Sequence, residues 1–142
     1  MGGEKRSARR PRIVVINDDT DFLTLMSELL SELGEYDVEV CREGNRAYQF
    51  VRDQLPDAVI LDIRIDGQEA GWTILECLTL DPKTKPIPTI VCSAAVRELQ
   101  SHQEMFDLYG IDVLTKPFDL DTLLEKVAAA LDRGERQHPM PE

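Results

Sequence analysis

The segment Asp57 to Leu61 reads DAVIL, four apolar residues in succession behind one acid. A strand with one wet face alternates apolar and polar residues, whereas a strand covered on both faces does not, and both faces are covered in parallel sheets flanked by helices. The Ile/Val run from Arg12 to Asn17 and the Pro-bounded IPTIVC from Ile87 to Cys92 have the same character. Asp37 to Cys41 adds a weaker strand and Ile111 to Leu114 (IDVL) a brief one. Helical spacing fills the gaps. Phe22, Leu25, Met26, Leu29, Leu30 and Leu33 recur with a helical period until Gly34, and further helices are expected at Asn45 to Gln54, Trp72 to Leu80 and Ala95 to Leu108. In the last helix Leu120, Leu123, Leu124, Val127 and Leu131 share a face, with Asp119 as N-cap and Gly134 as the stop. Five strand and helix pairs in alternation specify an α/β fold, a doubly wound five-stranded parallel sheet with flanking helices.

The chain of 142 residues suits one domain with a single core. We expect residues 1–10 to be a disordered basic leader, 11–133 the domain, and 134–142 a tail too short for an output domain, so that the domain stands alone. Over residues 1–12, Lys5, Arg6, Arg9, Arg10 and Arg12 outweigh Glu4 by four, which leaves the rest at −15 against a total of −11. Such a body repels nucleic acid, so no direct nucleic-acid partner is expected. The leader lacks the apolar core of a secretory signal, and no apolar run is long enough to span a bilayer. Cys41, Cys77 and Cys92 are odd in number and widely spaced in apolar contexts, which suits buried thiols in the cytoplasm better than disulfides or zinc.

Ligands of doubly wound sheets bind beyond the carboxyl ends of the strands. There the first strand ends in Asn17, Asp18 and Asp19, the third in Asp62 and the fourth in Ser93, and Lys116 follows the fifth. Like charges gathered at one edge repel and are costly to desolvate, and the usual compensation is a bound hard cation with oxygen ligands.

The segments IVVINDD, PDAVILDIRIDG, PTIVCSAA and DVLTKPF, in this order across residues 11–133, resemble the receiver domains of two-component response regulators. The resemblance implies a flavodoxin-like (βα)5 sheet of order 2-1-3-4-5. It makes Asp62 the acceptor of a phosphoryl group from a sensor histidine kinase or histidine phosphotransfer protein. It makes Ser93 and Lys116 the hydroxyl and lysine that meet that group. It gives Mg2+, or Mn2+ in its place, the ligands Asp18, Asp62 and the backbone carbonyl of Arg64, with Asn17 a weaker one. The protein would then be a signalling receiver rather than an enzyme, catalysing at most its own phosphorylation and dephosphorylation and signalling through contact with another protein.

The chain departs from that family at three places. Asn17 stands where Asp or Glu is usual, Val113 where an aromatic is frequent, and Asp66 with Ala70 alters the loop after the third strand; Phe106 and Tyr109 are the nearby aromatics. Taken singly, the site residues also have structural readings: Asp18 or Asp19 as a helix N-cap, Asp62 and Ser93 as loop caps, Lys116 as a solvated lysine. Two functional alternatives stand beside the receiver. A pseudo-receiver would keep the fold as an interaction module without phosphorylation. A haloacid-dehalogenase-like phosphatase would use Asp19-Thr20-Asp21, Ser93 and Lys116, but it leaves Asp62 without a task and the chain has little room for its cap. DIRIDG lacks the alternating acids of a calcium loop, and the chain has no Gly-rich phosphate loop or nucleophile elbow.

Overall fold

The computed structural model describes residues 10–65 and 70–137. The basic leader up to residue 9, Asp66 and Gly67 of the altered loop, and the last five residues lie outside the described residues. Strands β1 (Arg12–Ile16), β2 (Asp37–Cys41), β3 (Ala58–Asp62), β4 (Thr89–Ser93) and β5 (Asp112–Thr115) form one sheet, ordered β2-β1-β3-β4-β5. All pairs are parallel, with Ile13 opposite Ala58, Val59 opposite Thr89 and Ile90 opposite Asp112. Between them run α1 (Thr20–Glu32), α2 (Gly44–Gln54), α3 (Ala70–Leu80), α4 (Val96–Ser101) and α5 (Gln103–Tyr109), and α6 (Leu120–Gln137) follows β5. The expected doubly wound sheet and its strand order are therefore present.

The absence of alternation in the strands has the anticipated cause. Ile13, Val15, Ala58, Ile60, Ile90, Cys92 and Leu114 face α1 and α6, where they meet Leu23, Met26, Leu30, Leu123 and Val127. Val14, Ile16, Val59, Leu61 and Val91 face the other way, onto Ala47 and Val51 of α2, Leu75 of α3 and Phe106 of α5. Successive residues of β1, β3 and β4 thus enter two cores, and every residue of β3 and β4 is buried, the terminal Asp62 and Ser93 included.

Two expectations are corrected. The helix expected from Ala95 to Leu108 is two helices. His102, at φ −108° and ψ 10°, stacks on Trp72 with ring centroids 3.7 Å apart, and its Nδ1 donates to the Glu98 carbonyl at 2.8 Å while its backbone N–H turns to the Leu99 carbonyl. The side chain takes the acceptor that a continuing helix would have used, so the helix breaks. Gly134 does not end α6, which runs on to Gln137; a Cβ there would lie 2.9 Å from Pro88 Cγ, so the glycine lets the helix approach the start of β4. Gly34 follows the C-cap Leu33, so α1 stops where expected, and the left-handed residue of that turn is Glu35, at φ 58°. Asp119 likewise caps α6 as anticipated, accepting from Thr122 N–H at 2.7 Å.

Gly71 bears most directly on the site. It lies in the first turn of α3, its N–H donates to the Ile63 carbonyl at 2.8 Å, and a Cβ would sit 2.4 Å from Ile63 Cα and 2.6 Å from the Asp62 carbonyl oxygen. Backbone cannot yield as a flexible side chain does. Gly71→Ala is therefore expected to cost about 1–3 kcal/mol in urea unfolding. Gly44→Ala, whose methyl would meet Ile65 Cγ2 at 3.5 Å, should stay within about 0.5 kcal/mol of the parent. Equal effects of the two would show that the approach of α3 to residues 62 and 63 is not tight.

Candidate phosphoacceptor site

A crevice of about 570 Å³ opens at the carboxyl ends of β1, β3, β4 and β5. Asn17, Asp18, Asp62, Arg64, Ser93 and Lys116, drawn from four separate stretches of the chain, line it together with Asp19, Phe22, Ala94 and Ala95. Every candidate from the sequence thus reaches one place. Among the described residues no three acidic, His or Cys side chains form a metal cage.

Asp62 is the centre of the hydrogen bonding. The residue is 7% exposed, and its carboxylate accepts from three donors: Lys116 Nζ to Oδ2 at 2.6 Å, Asn17 Nδ2 to Oδ2 at 2.8 Å, and the Arg64 backbone N–H to Oδ1 at 3.0 Å. At an effective dielectric near 20 the attraction of Lys116 is on the order of 5 kcal/mol, and desolvation of the two ions takes back several. The net benefit is small, but removing the lysine alone leaves a buried charge uncompensated, a change worth about 3–5 kcal/mol in comparable pairs. Lys116 is itself placed by its backbone N–H, which donates to the Ser93 carbonyl at 2.9 Å and so ties the end of β5 to the end of β4.

Asn17 is 2% exposed and uses both ends of its amide. Oδ1 accepts from the Asp19 N–H at 2.9 Å; because an N–H can only donate, this bond fixes the amide orientation and turns Nδ2 toward Asp62. A carboxylate in the same position would present a second anion there. Asp19 itself caps α1, its Oδ1 accepting from Asp21 N–H at 3.0 Å and Phe22 N–H at 3.2 Å. That is the capping role weighed for it in the sequence. Ser93 Oγ accepts from the Ala95 N–H at 3.0 Å, which leaves the hydroxyl proton for an oxygen placed in the crevice. Ala94 is exposed at the rim, so the approach is open. One position below Ser93, burial pushes the Cys92 thiol up to about 12, with Lys116 opposing and Asp62 reinforcing the shift, so it remains a neutral thiol.

Sequence reasoning missed two lining residues, Phe22 and Ala95. Phe22 reads as part of the α1 apolar stripe, yet the Lys116 ammonium lies over its ring, 5.0 Å from the centroid. Its place in the first turn after the acidic cluster was the available signal.

The model of the response regulator receiver domain family matches residues 13–128. The chain belongs to that family. The receiver is 33% identical over 126 residues to the DNA-binding dual master transcriptional regulator RpaA of Synechocystis sp., an alignment covering 89% of this chain and 51% of RpaA. The chain spans at most about half the length of the curated relatives it matches. Among solved structures, a sensor protein from Polaromonas sp. JS666 superposes with a TM-score of 0.76 at 27% identity, covering 88% of this chain and 98% of that one. The receiver domain of the sensor histidine kinase PA1611 from Pseudomonas aeruginosa PAO1, with a magnesium ion coordinated in its active-site cleft, superposes at 0.72 and 23% identity, covering 87% and 98%. The latter likeness speaks for the fold.

The Asn17 geometry yields a measurable consequence for this receiver. Asn17→Asp replaces a donor at 2.8 Å from Asp62 Oδ2 by a like charge, so the metal-free protein is expected to lose about 1–2 kcal/mol of stability, with Lys116 absorbing part of the repulsion. The deficit should shrink as Mg2+ is added, and Mg2+ should bind roughly tenfold more tightly, or about 1.4 kcal/mol, by titration of amide shifts or Trp72 fluorescence. An Asn17→Asp protein as stable as the parent and no tighter toward Mg2+ would contradict the orientation described.

Proposed function

We propose that this receiver accepts a phosphoryl group on Asp62 and signals by protein contact in a two-component phosphorelay. The donor would be the phosphohistidine of a sensor histidine kinase or histidine phosphotransfer protein. The observation that carries this reading is the buried Asp62 carboxylate held by three donors at the floor of an open crevice, with an ammonium and a hydroxyl beside it. Phosphoryl transfer makes little covalent demand on a protein; it needs in-line positioning and neutralised charge. An Asp62 oxygen forms the new bond to phosphorus as the P–N bond to the donor breaks, and the electron pair stays on the imidazole nitrogen. Lys116 faces both the resting carboxylate and the oxygens that arrive, while Ser93 donates its hydroxyl proton to one of them. That last contact would convert the covalent mark into a pull on the segment leading into α4.

The donor set suits Mg2+, which is commonly held by one or two carboxylates with water and phosphate completing its shell. Asp18, Asp62 and the Arg64 carbonyl would hold it, with Asn17 contributing weakly because its oxygen is engaged by Asp19; Mn2+ fits the same ligands. The ion would supply neutralising charge at the phosphoryl oxygens. The cytoplasm is the compartment proposed, and no helix among the described residues is long and apolar enough to cross a membrane.

A second reading has one observation in its favour. The Asn17 amide satisfies the resting carboxylate without metal or phosphate, as an interaction module that is never phosphorylated would require. One experiment separates the two. With acetyl phosphate and Mg2+, the parent should gain a single phosphoryl group by intact mass. Asp62→Asn should gain none, and Lys116→Ala should lose most of the response. Labelling that persists in Asp62→Asn would overturn the assignment of the acceptor, and a parent that never labels would favour the second reading.

A further inference from the structure

We propose that Phe22 is a positioning residue for Lys116: the face of its ring keeps the ammonium in the crevice while the anion before it changes from carboxylate to phosphoryl group. The proposal rests on the phosphoacceptor reading above. Lys116 Nζ lies 5.0 Å from the Phe22 ring centroid and 2.6 Å from Asp62 Oδ2, so one cation is placed by two partners of different kind. The ring is fixed in turn. Asp19 Oδ1 accepts from the Phe22 backbone N–H at 3.2 Å, and Phe118 meets Phe22 edge to face at 6.4 Å and 90°. Phe118 is two residues beyond Lys116, so a single short segment brings both the ammonium and the supporting ring to Phe22.

The physical need follows from the chemistry. A carboxylate attracts the ammonium only while it is ionised, and once one of its oxygens becomes the bridging anhydride oxygen of an acyl phosphate the charge has moved outward to the phosphoryl oxygens. A flexible lysine with 31% of its side chain exposed has water as an alternative partner at that moment. The quadrupole of an aromatic face attracts the cation in both states, without a proton or a charge of its own. Asn17 strengthens the case in this chain. It brings a neutral amide to Asp62 Oδ2 where an acid would add a second negative charge beside Lys116, so the share of the ring in holding the cation is larger.

The test varies the ring and keeps its shape. Phosphorylation by acetyl phosphate at fixed Mg2+ is compared in the parent, Phe22→Tyr, Phe22→Leu and a protein carrying trifluorophenylalanine at position 22, with melting temperatures recorded for each. Tyr should stay within a factor of two of the parent, and Leu and the fluorinated ring should each be slower by about two- to fivefold, the fluorinated protein keeping its melting temperature. In an Asn17→Asp background the effect of Phe22→Leu should be smaller. A fluorinated protein that labels at the parental rate would overturn the proposal, even if the Leu variant fails to fold. A second readout does not depend on phosphorylation: the Lys116 Cε protons should show an upfield ring-current shift in the parent that Phe22→Leu abolishes. If the parent never labels, the phosphoacceptor reading fails by itself, and absence of that shift would then refute the placement of Lys116 over the ring.

Discussion

A carboxylate at the end of a strand buried on both faces cannot be left without partners, because an isolated buried charge is far more costly than any single contact can repay. The Asp62 carboxylate meets that requirement by drawing donors from Asn17 after β1, from the Arg64 backbone after β3, and from Lys116 after β5. These three contacts hold the open edge of the sheet together. They also define where a phosphoryl group would be met, since the same donors surround the only atom set that a transfer to Asp62 would alter. Stability and the proposed reactivity would therefore share one group of atoms, and a change of charge at Asp62 would be felt at three strand ends.

How such a change would spread differs from the family pattern. Val113 on β5 has no ring to swing, and Phe106 is fully buried between Trp72, at 6.0 Å, and the core. The larger irregularity is the break between α4 and α5, where His102 leaves helical geometry and stacks on Trp72 at the start of α3. Residues after both Asp62 and Ser93 meet in that stack, which places the helix break between the two segments that a phosphoryl group would touch.

Strands β1, β3 and β4 were legible because their burial on both faces leaves an unbroken apolar run, a signal that solvent-facing alternation cannot imitate. Four strand ends carrying Asn17 to Asp19, Asp62, Ser93 and Lys116 then located the site from topology. What escaped were features set by atoms far apart in sequence. The helix break at His102 depends on a ring at residue 72, and the passage of α6 through Gly134 depends on Pro88. The orientation of Asn17 is a local exception, set by one backbone N–H two residues away that composition does not reveal. Phe22 carried an ordinary apolar label until its ring was seen beneath Lys116.

The assignment of Asp62 as acceptor is put to the test by a structure of the protein with beryllofluoride and Mg2+, a stable mimic of the acyl phosphate. One adduct on an Asp62 oxygen is expected, with Lys116 Nζ and Ser93 Oγ each within hydrogen-bond distance of a fluoride and Lys116 still over the Phe22 ring. An adduct on Asp19, or a crevice that retains the Asp62 to Asn17 and Lys116 contacts and takes no beryllofluoride at saturating concentration, would contradict it.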